Sequence, residues 1–201
     1  FMQGNGNSLG GDMAELKTYL IARLLWDPAR RAAAIREEFL AGYYRAAAAA
    51  VEDYVRLFER AFAAARPRAH LHLYRTLWEN DAAYLEKPVL RRARAILESG
   101  RRAASDDSAV QARLDRIEAG LNYTELFYYE QPGRRMMKGS SMTCPVSPRR
   151  RTLARRLFTF AGRNGFTHYG EDYGRYTSFG ELRHVWLDSI GTHPVVRLES
   201  P

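Results

Sequence analysis

Apolar residues return at three- and four-residue steps through most of this chain, and that period admits few folds other than packed helices. Between Asp12 and Tyr44, the residues Met13, Leu16, Leu20 and Leu24 fall on one side of a helix that Trp26 closes. Asp27-Pro28 reads as the start of a second helix: Asp is a good cap, and proline at the first helical position gives up only an unbonded N–H. That helix is expected to bury Ile35, Phe39 and Leu40 and to end at Gly42. A third, from Arg45 or Ala46 to about Ala65, carries Val51, Tyr54, Val55, Phe58, Phe62 and Ala65 as its stripe. The run Ala46 to Ala50 has high helix propensity and little bulk, so another element can approach closely there.

Farther on, Ala69 to Leu85 reads as a helix through Leu71, Tyr74, Leu77 and Trp78, although HLHLY alternates like a strand; helical neighbours favour the helix. His70 and His72, two apart on a helix, point to different faces and make a poor zinc pair. Lys87-Pro88 opens a helix with Leu90, Ala93, Leu97 and Ala104 on one side, within which Gly100 is a weak point. Ser105 to Ser108 is a polar break with good caps for the next helix, which buries Val110, Leu114, Ile117, Leu121 and Tyr128. Residues 131–149, rich in Pro and Gly with three methionines, read as a long loop that Met136, Met137 and Met142 pin to the bundle. Thr152 to Arg163 is helical with Leu153, Leu157, Phe160 and Ala161 inward, and Asn164-Gly165 stops it. A tyrosine- and glycine-rich loop with His168, Glu171 and Asp172 follows, then a short helix from Phe179 to Leu187 capped by Ser178, and an irregular tail from Gly191.

Composition excludes some classes. With 46% hydrophobic residues and 12% aromatics, the chain can bury a core and is not a disordered segment. Its single cysteine, Cys144, rules out an internal disulfide and a thiolate metal cluster within one chain. No apolar run approaches the ~20 residues of a membrane-spanning helix. The net charge of +8 comes mostly from arginine, and the sharpest cluster is Arg149 to Arg151 with Arg155 and Arg156. Arginine at a helix start opposes the helix dipole, which points to a bound anion or an acidic partner. Yet arginine lies on nearly every helix face, interleaved with Asp and Glu, as on an ordinary solvated surface. Nucleic acid is therefore not an expected partner.

The opening residues carry a resemblance. AELKTYLIARLLWDP followed by EFLAGYY, preceded by FMQGNGNSLGG, resembles a segment of an uncharacterised bacterial family of glycoside-hydrolase-like proteins. That family is similar to α-glucuronidases and β-hexosaminidases in having a (β/α)8 catalytic barrel followed by a helical region. In it, an Asn- and Gly-rich loop after the last barrel strand leads into a helix ending Leu-Leu-Trp-x-Pro, and a Phe-Leu-x-Gly-Tyr-Tyr element follows. The likeness covers the first third of the chain well and the remainder only as further helices.

The resemblance implies an all-α, mostly antiparallel helical bundle placed after such a barrel. Residues 1–11 would be the end of the last barrel strand and its loop, 12–130 the bundle, 131–149 a loop, and 150–201 the C-terminal helices and tail. Opening on Phe1 and a loop, the chain reads as part of a longer polypeptide, secreted or periplasmic if its parent carries an export signal. The partners implied are the upstream barrel, carbohydrate through the parent enzyme, and a second copy in a homodimer; membrane and cofactor are not. The catalytic acids of such a barrel lie at strand ends, so none is expected within this chain. Substrate contact is left to Gln3 and Asn5, which would hydrogen-bond sugar hydroxyls, with Glu15 orienting the loop. The rival reading of Gly4, Gly6, Gly10 and Gly11 is a turn and nothing more. The rival function is a self-contained helical interaction or regulatory module, binding nucleic acid through the Arg149–Arg156 face.

Overall fold

The structure is a computed structural model that describes residues 12–65, 83–129, 141–142, 148–166 and 193–194. Helix α1 (Ala14–Trp26) is followed by α2 (Ala32–Tyr44), a 3-10 turn (Arg45–Ala47), α3 (Ala48–Ala65) and a second 3-10 turn (Ala83–Leu85). Then come α4 (Lys87–Ala103), α5 (Ser108–Tyr129), β1 (Ser141–Met142), α6 (Pro148–Arg163) and β2 (His193–Pro194). The described residues form an all-α bundle, with one addition: β1 and β2 pair antiparallel, Ser141 opposite Pro194 and Met142 opposite His193.

One core joins helices α1 to α5. Met13 and Leu16 meet Phe39, Leu40 and Tyr44 of α2, and Val51, Tyr54 and Leu57 of α3 complete that wall. Leu90, Ala93 and Leu97 of α4 and Val110, Leu114, Ile117 and Leu121 of α5 close it. A wholly enclosed leucine such as Leu114 contributes about 2–3 kcal/mol against leaving it in water. A smaller core lies on the other side of α5, where Ala119 and Leu126 take Leu153, Ala154 and Leu157 of α6.

The junctions follow from capping chemistry. Asp107 accepts a hydrogen bond from the Val110 N–H at 3.1 Å and starts α5. Pro88 sits in the first turn of α4, where its missing N–H costs nothing. At the end of α6, Gly165 takes φ 69°. There the Phe166 N–H reaches the Ala161 carbonyl at 2.9 Å, a pattern that needs a left-handed residue.

Three sequence expectations need correction. Asp27-Pro28 does not begin α2: the Asp27 carboxylate instead accepts from the Ala29 N–H at 3.2 Å, a local turn that delays the helix to Ala32. Gly42 does not end α2, which runs on to Tyr44 because Tyr44 is buried and Tyr43 stacks on Phe39 at 4.9 Å. The left-handed position after α2 falls on Arg45, at φ 46°. Phe62 is more exposed than its stripe implies and lies edge-on against Tyr84 at 5.6 Å, while Leu57 is buried in the α3 stripe. Trp26 closes α1 as expected but is 90% exposed, and its neighbour Leu25 is 61% exposed.

The helix expected over 69–85 lies outside the described residues apart from Ala83–Leu85, as do His70 and His72. So do Phe1 to Gly11, most of the 131–149 loop, the Tyr128 side chain, the loop with His168, Glu171 and Asp172, and the helix over 179–187.

Candidate functional site

Two polar constellations stand out, one where α1 begins and one where α4, α5 and α6 meet. At the first, Met13 adopts a left-handed conformation, φ 51°, as the chain enters α1. Asp12 just before it is exposed as a residue, but its carboxyl end is tucked inward. It accepts a hydrogen bond from the buried Tyr54 hydroxyl at 3.4 Å and lies beside Gly120 of α5. Burial holds the Asp12 carboxyl above its ordinary value, opposed by the positive charge of Lys17. Burial, with Asp12 nearby, likewise pushes the Tyr54 phenol well above its ordinary value, and Tyr44 is raised chiefly by burial.

Glu15, the one expected substrate-contact residue that the structure describes, faces this junction. Its carboxylate is paired with the Arg116 guanidinium of α5. Gln3 and Asn5 lie outside the described residues. What the structure assigns to Glu15 is an anchoring contact: with Asp12 it ties the entry of α1 to α3 and α5.

The second constellation was not visible in the sequence. Arg94 and Arg101 on α4, Glu118 and Glu125 on α5, and Arg149 and Arg156 on α6 are each seven residues apart, two helical turns. In space they form two rungs. Glu125, nearly enclosed, accepts from Arg94 Nη2 at 2.7 Å and from Arg149 Nε at 2.8 Å. Glu118 accepts from Arg101 Nη2 at 2.7 Å and from Arg156 Nη1 at 3.2 Å. Arg101 also meets Asp115 at 2.7 Å. Residue numbers rise along α4 and α6 as they fall along α5, so α5 runs antiparallel to both neighbours. The basic cluster that begins α6 is thereby divided. Arg149 and Arg156 are the outer rail of the ladder, Arg150 is buried, and Arg155 is exposed. For Arg149 and Arg156 the acidic partner lies within the chain, on α5.

Between the rungs lies Asn122, buried, with its side-chain oxygen Oδ1 lacking a hydrogen-bond partner among the described residues. Leaving such a group unmet costs about 1–3 kcal/mol. It borders a groove of about 600 Å³ between α5 and α6, beside the Arg101 rung. A smaller cavity of about 230 Å³ opens beside the Arg94 rung, under Lys87 and Arg91. Among the described residues, no group of three His, Cys, Asp or Glu is placed to hold a metal ion, and no helix is long and apolar enough to cross a membrane.

Comparison with known proteins adds one observation. Residues 1–56 match the model of a family described as a domain of unknown function, DUF4838. The match takes in α1, α2 and the first half of α3, together with the LLWDP and FLAGYY motifs. Neither a curated protein nor a solved structure matches the chain.

Proposed function

We propose that this chain is a helical buttress for a carbohydrate-active catalytic barrel on the same polypeptide, with α1 as the contact. The observation that carries the proposal is the exposed pair Leu25 and Trp26 at the end of a helix whose other side is built into the core. A tryptophan 90% exposed leaves a large apolar surface in water. This one lies inside the matched segment and inside the Leu-Leu-Trp-x-Pro motif that resembles the helix after a barrel's last strand. Leu20 and Leu24 are half-buried on the same helix, whereas Leu16 is committed to the bundle and is not free to dock. Gln3 and Asn5 would then face the barrel's substrate end, and Glu15, held by Arg116, would fix the direction from which that loop departs.

The test compares Trp26→Ala in the 201-residue chain and in the polypeptide encoded by the complete gene. In the chain alone the substitution should leave the melting temperature nearly unchanged, as exposed positions do. In the complete polypeptide it should cost about 2 kcal/mol, the value of a buried large apolar side chain. Equal small effects in both, or a gene that starts at residue 1 or 2, defeat the proposal.

A further inference from the structure

We infer that the groove beside the Arg101–Glu118–Arg156 rung binds a small anion that also carries hydroxyl groups. The inference does not rest on the buttress reading, because the groove lies on α4, α5 and α6, beyond the residues of the family match.

A volume of about 600 Å³ suits a ligand the size of a sugar or a nucleotide. The α6 wall presents Arg155 and Arg163, eight residues apart and so on one face of the helix. Neither has an ion-pair partner among the described residues. The α5 wall presents Asp115 and Glu118, but both carboxylates are already held by arginines of the ladder. Among the described residues, the exposed Glu98 of α4 is the one further carboxylate in the lining, which leaves the described walls with surplus positive charge. Two guanidiniums without ion-pair partners among the described residues call for a carboxylate or a phosphate, which accept their forked donors. The same filled-carboxylate geometry disfavours a metal cation.

Asn122 supplies the second, independent sign. It is 3% exposed, lines the groove, and its Oδ1 has no donor. The terminal torsion of asparagine is broad, so the amide can turn its oxygen to the groove. A buried carbonyl without a partner is met by an O–H or N–H of a ligand. Phe160, half-buried on α6, gives one apolar wall of the kind that lies against the C–H face of a polyol. An anion lacking hydroxyls would satisfy the arginines and leave Asn122 as it is; a neutral polyol would do the reverse.

Calorimetric titration of the 201-residue chain tests this with four probes: sorbitol 6-phosphate, gluconate, sorbitol and inorganic phosphate. At least one of the two hydroxylated anions should bind, and the tighter of them identifies the head group. Inorganic phosphate should bind about tenfold more weakly or worse, and sorbitol not measurably. The double variant Arg155→Gln, Arg163→Gln alters only exposed side chains, so it should fold normally and lose about tenfold or more in affinity. Asn122→Leu should bring the hydroxylated anion down to the affinity of inorganic phosphate; should that variant not fold, the arginine pair decides alone. Binding of neither hydroxylated anion overturns the inference, as does sorbitol or inorganic phosphate binding as tightly as they do. Unchanged affinity in the arginine double variant overturns it as well.

Discussion

Asp12 carries a carboxyl group into a position that favours its protonated form. Burial raises its pKa against the opposing effects of Lys17 and the Tyr54 hydrogen bond, so the folded chain holds a proton there more tightly than the unfolded chain does. Linkage gives the sign: stability from this residue is fully present below the ordinary carboxyl range and is lost as pH rises through the raised value. Asp12→Asn keeps an acceptor for Tyr54 and removes the titration. It should raise the melting temperature at neutral pH and flatten the decline between acid and neutral solution. A variant that melts lower than the parent at neutral pH would contradict this. Glu38 works in the opposite direction. Hydrogen bonds from Tyr19 and then Arg30 hold its carboxyl below the ordinary value, so its contribution is lost as pH falls. None of this is legible in a linear sequence. Asp12 reads there as one more polar residue before a helix, and its partner Tyr54 lies in the next helix but one.

Among the elements, α3 and α4 show how much a sequence tells. The alanines from 46 to 50 announce a close approach, and the structure supplies what approaches. A Cβ on Gly100 of α4 would lie 3.1 Å from the Ala50 Cβ and 3.6 Å from that of Ala47. Propensity alone makes Gly100 a defect, and in an open helix alanine there would add about 1 kcal/mol. The contact reverses the expectation, because a methyl on a helix backbone moves only if the helix moves. Gly100→Ala should therefore lower stability in urea denaturation, and Gly100→Val more so; a gain from alanine would show that the two helices can separate at little cost. The stripes of α2, α4, α5 and α6 and the caps at Asp107 and Gly165 were legible for the same reason, each depending on neighbours a few residues away; those of α1 and α3 were legible in part, with Leu20 and Leu24 half-buried and Phe62 exposed. The start of α2 was not, because Asp27-Pro28 serves a turn as well as it serves a helix start. The end of α2 was not, because burial of Tyr44 is decided by other helices.

For the whole molecule, α5 is the shared member, facing one core on the α1 to α4 side and a smaller one under α6. The charged ladder stitches α4 and α6 across it, and its energetics are asymmetric. Glu125→Gln leaves the Arg94 guanidinium, which is three-quarters enclosed, facing Arg149 with only the longer 3.8 Å contact to Glu118 in compensation. The loss should be about 3 kcal/mol, typical of breaking a buried pair. Arg149→Gln, at a mostly exposed side chain, should cost under about 1 kcal/mol. Equal losses in a denaturation series would mean that the rung is solvated. The ladder escaped the sequence because charges seven apart on three helices are common, and only the antiparallel arrangement brings them level. The segment match ends at residue 56, in the middle of α3, with Val51 and Tyr54 behind it already built into the core that α4 helps to close. The matched segment and the core it enters are therefore different lengths of this chain. Cut at that point, the segment would keep Val51 and Tyr54 and lose the helix that covers them.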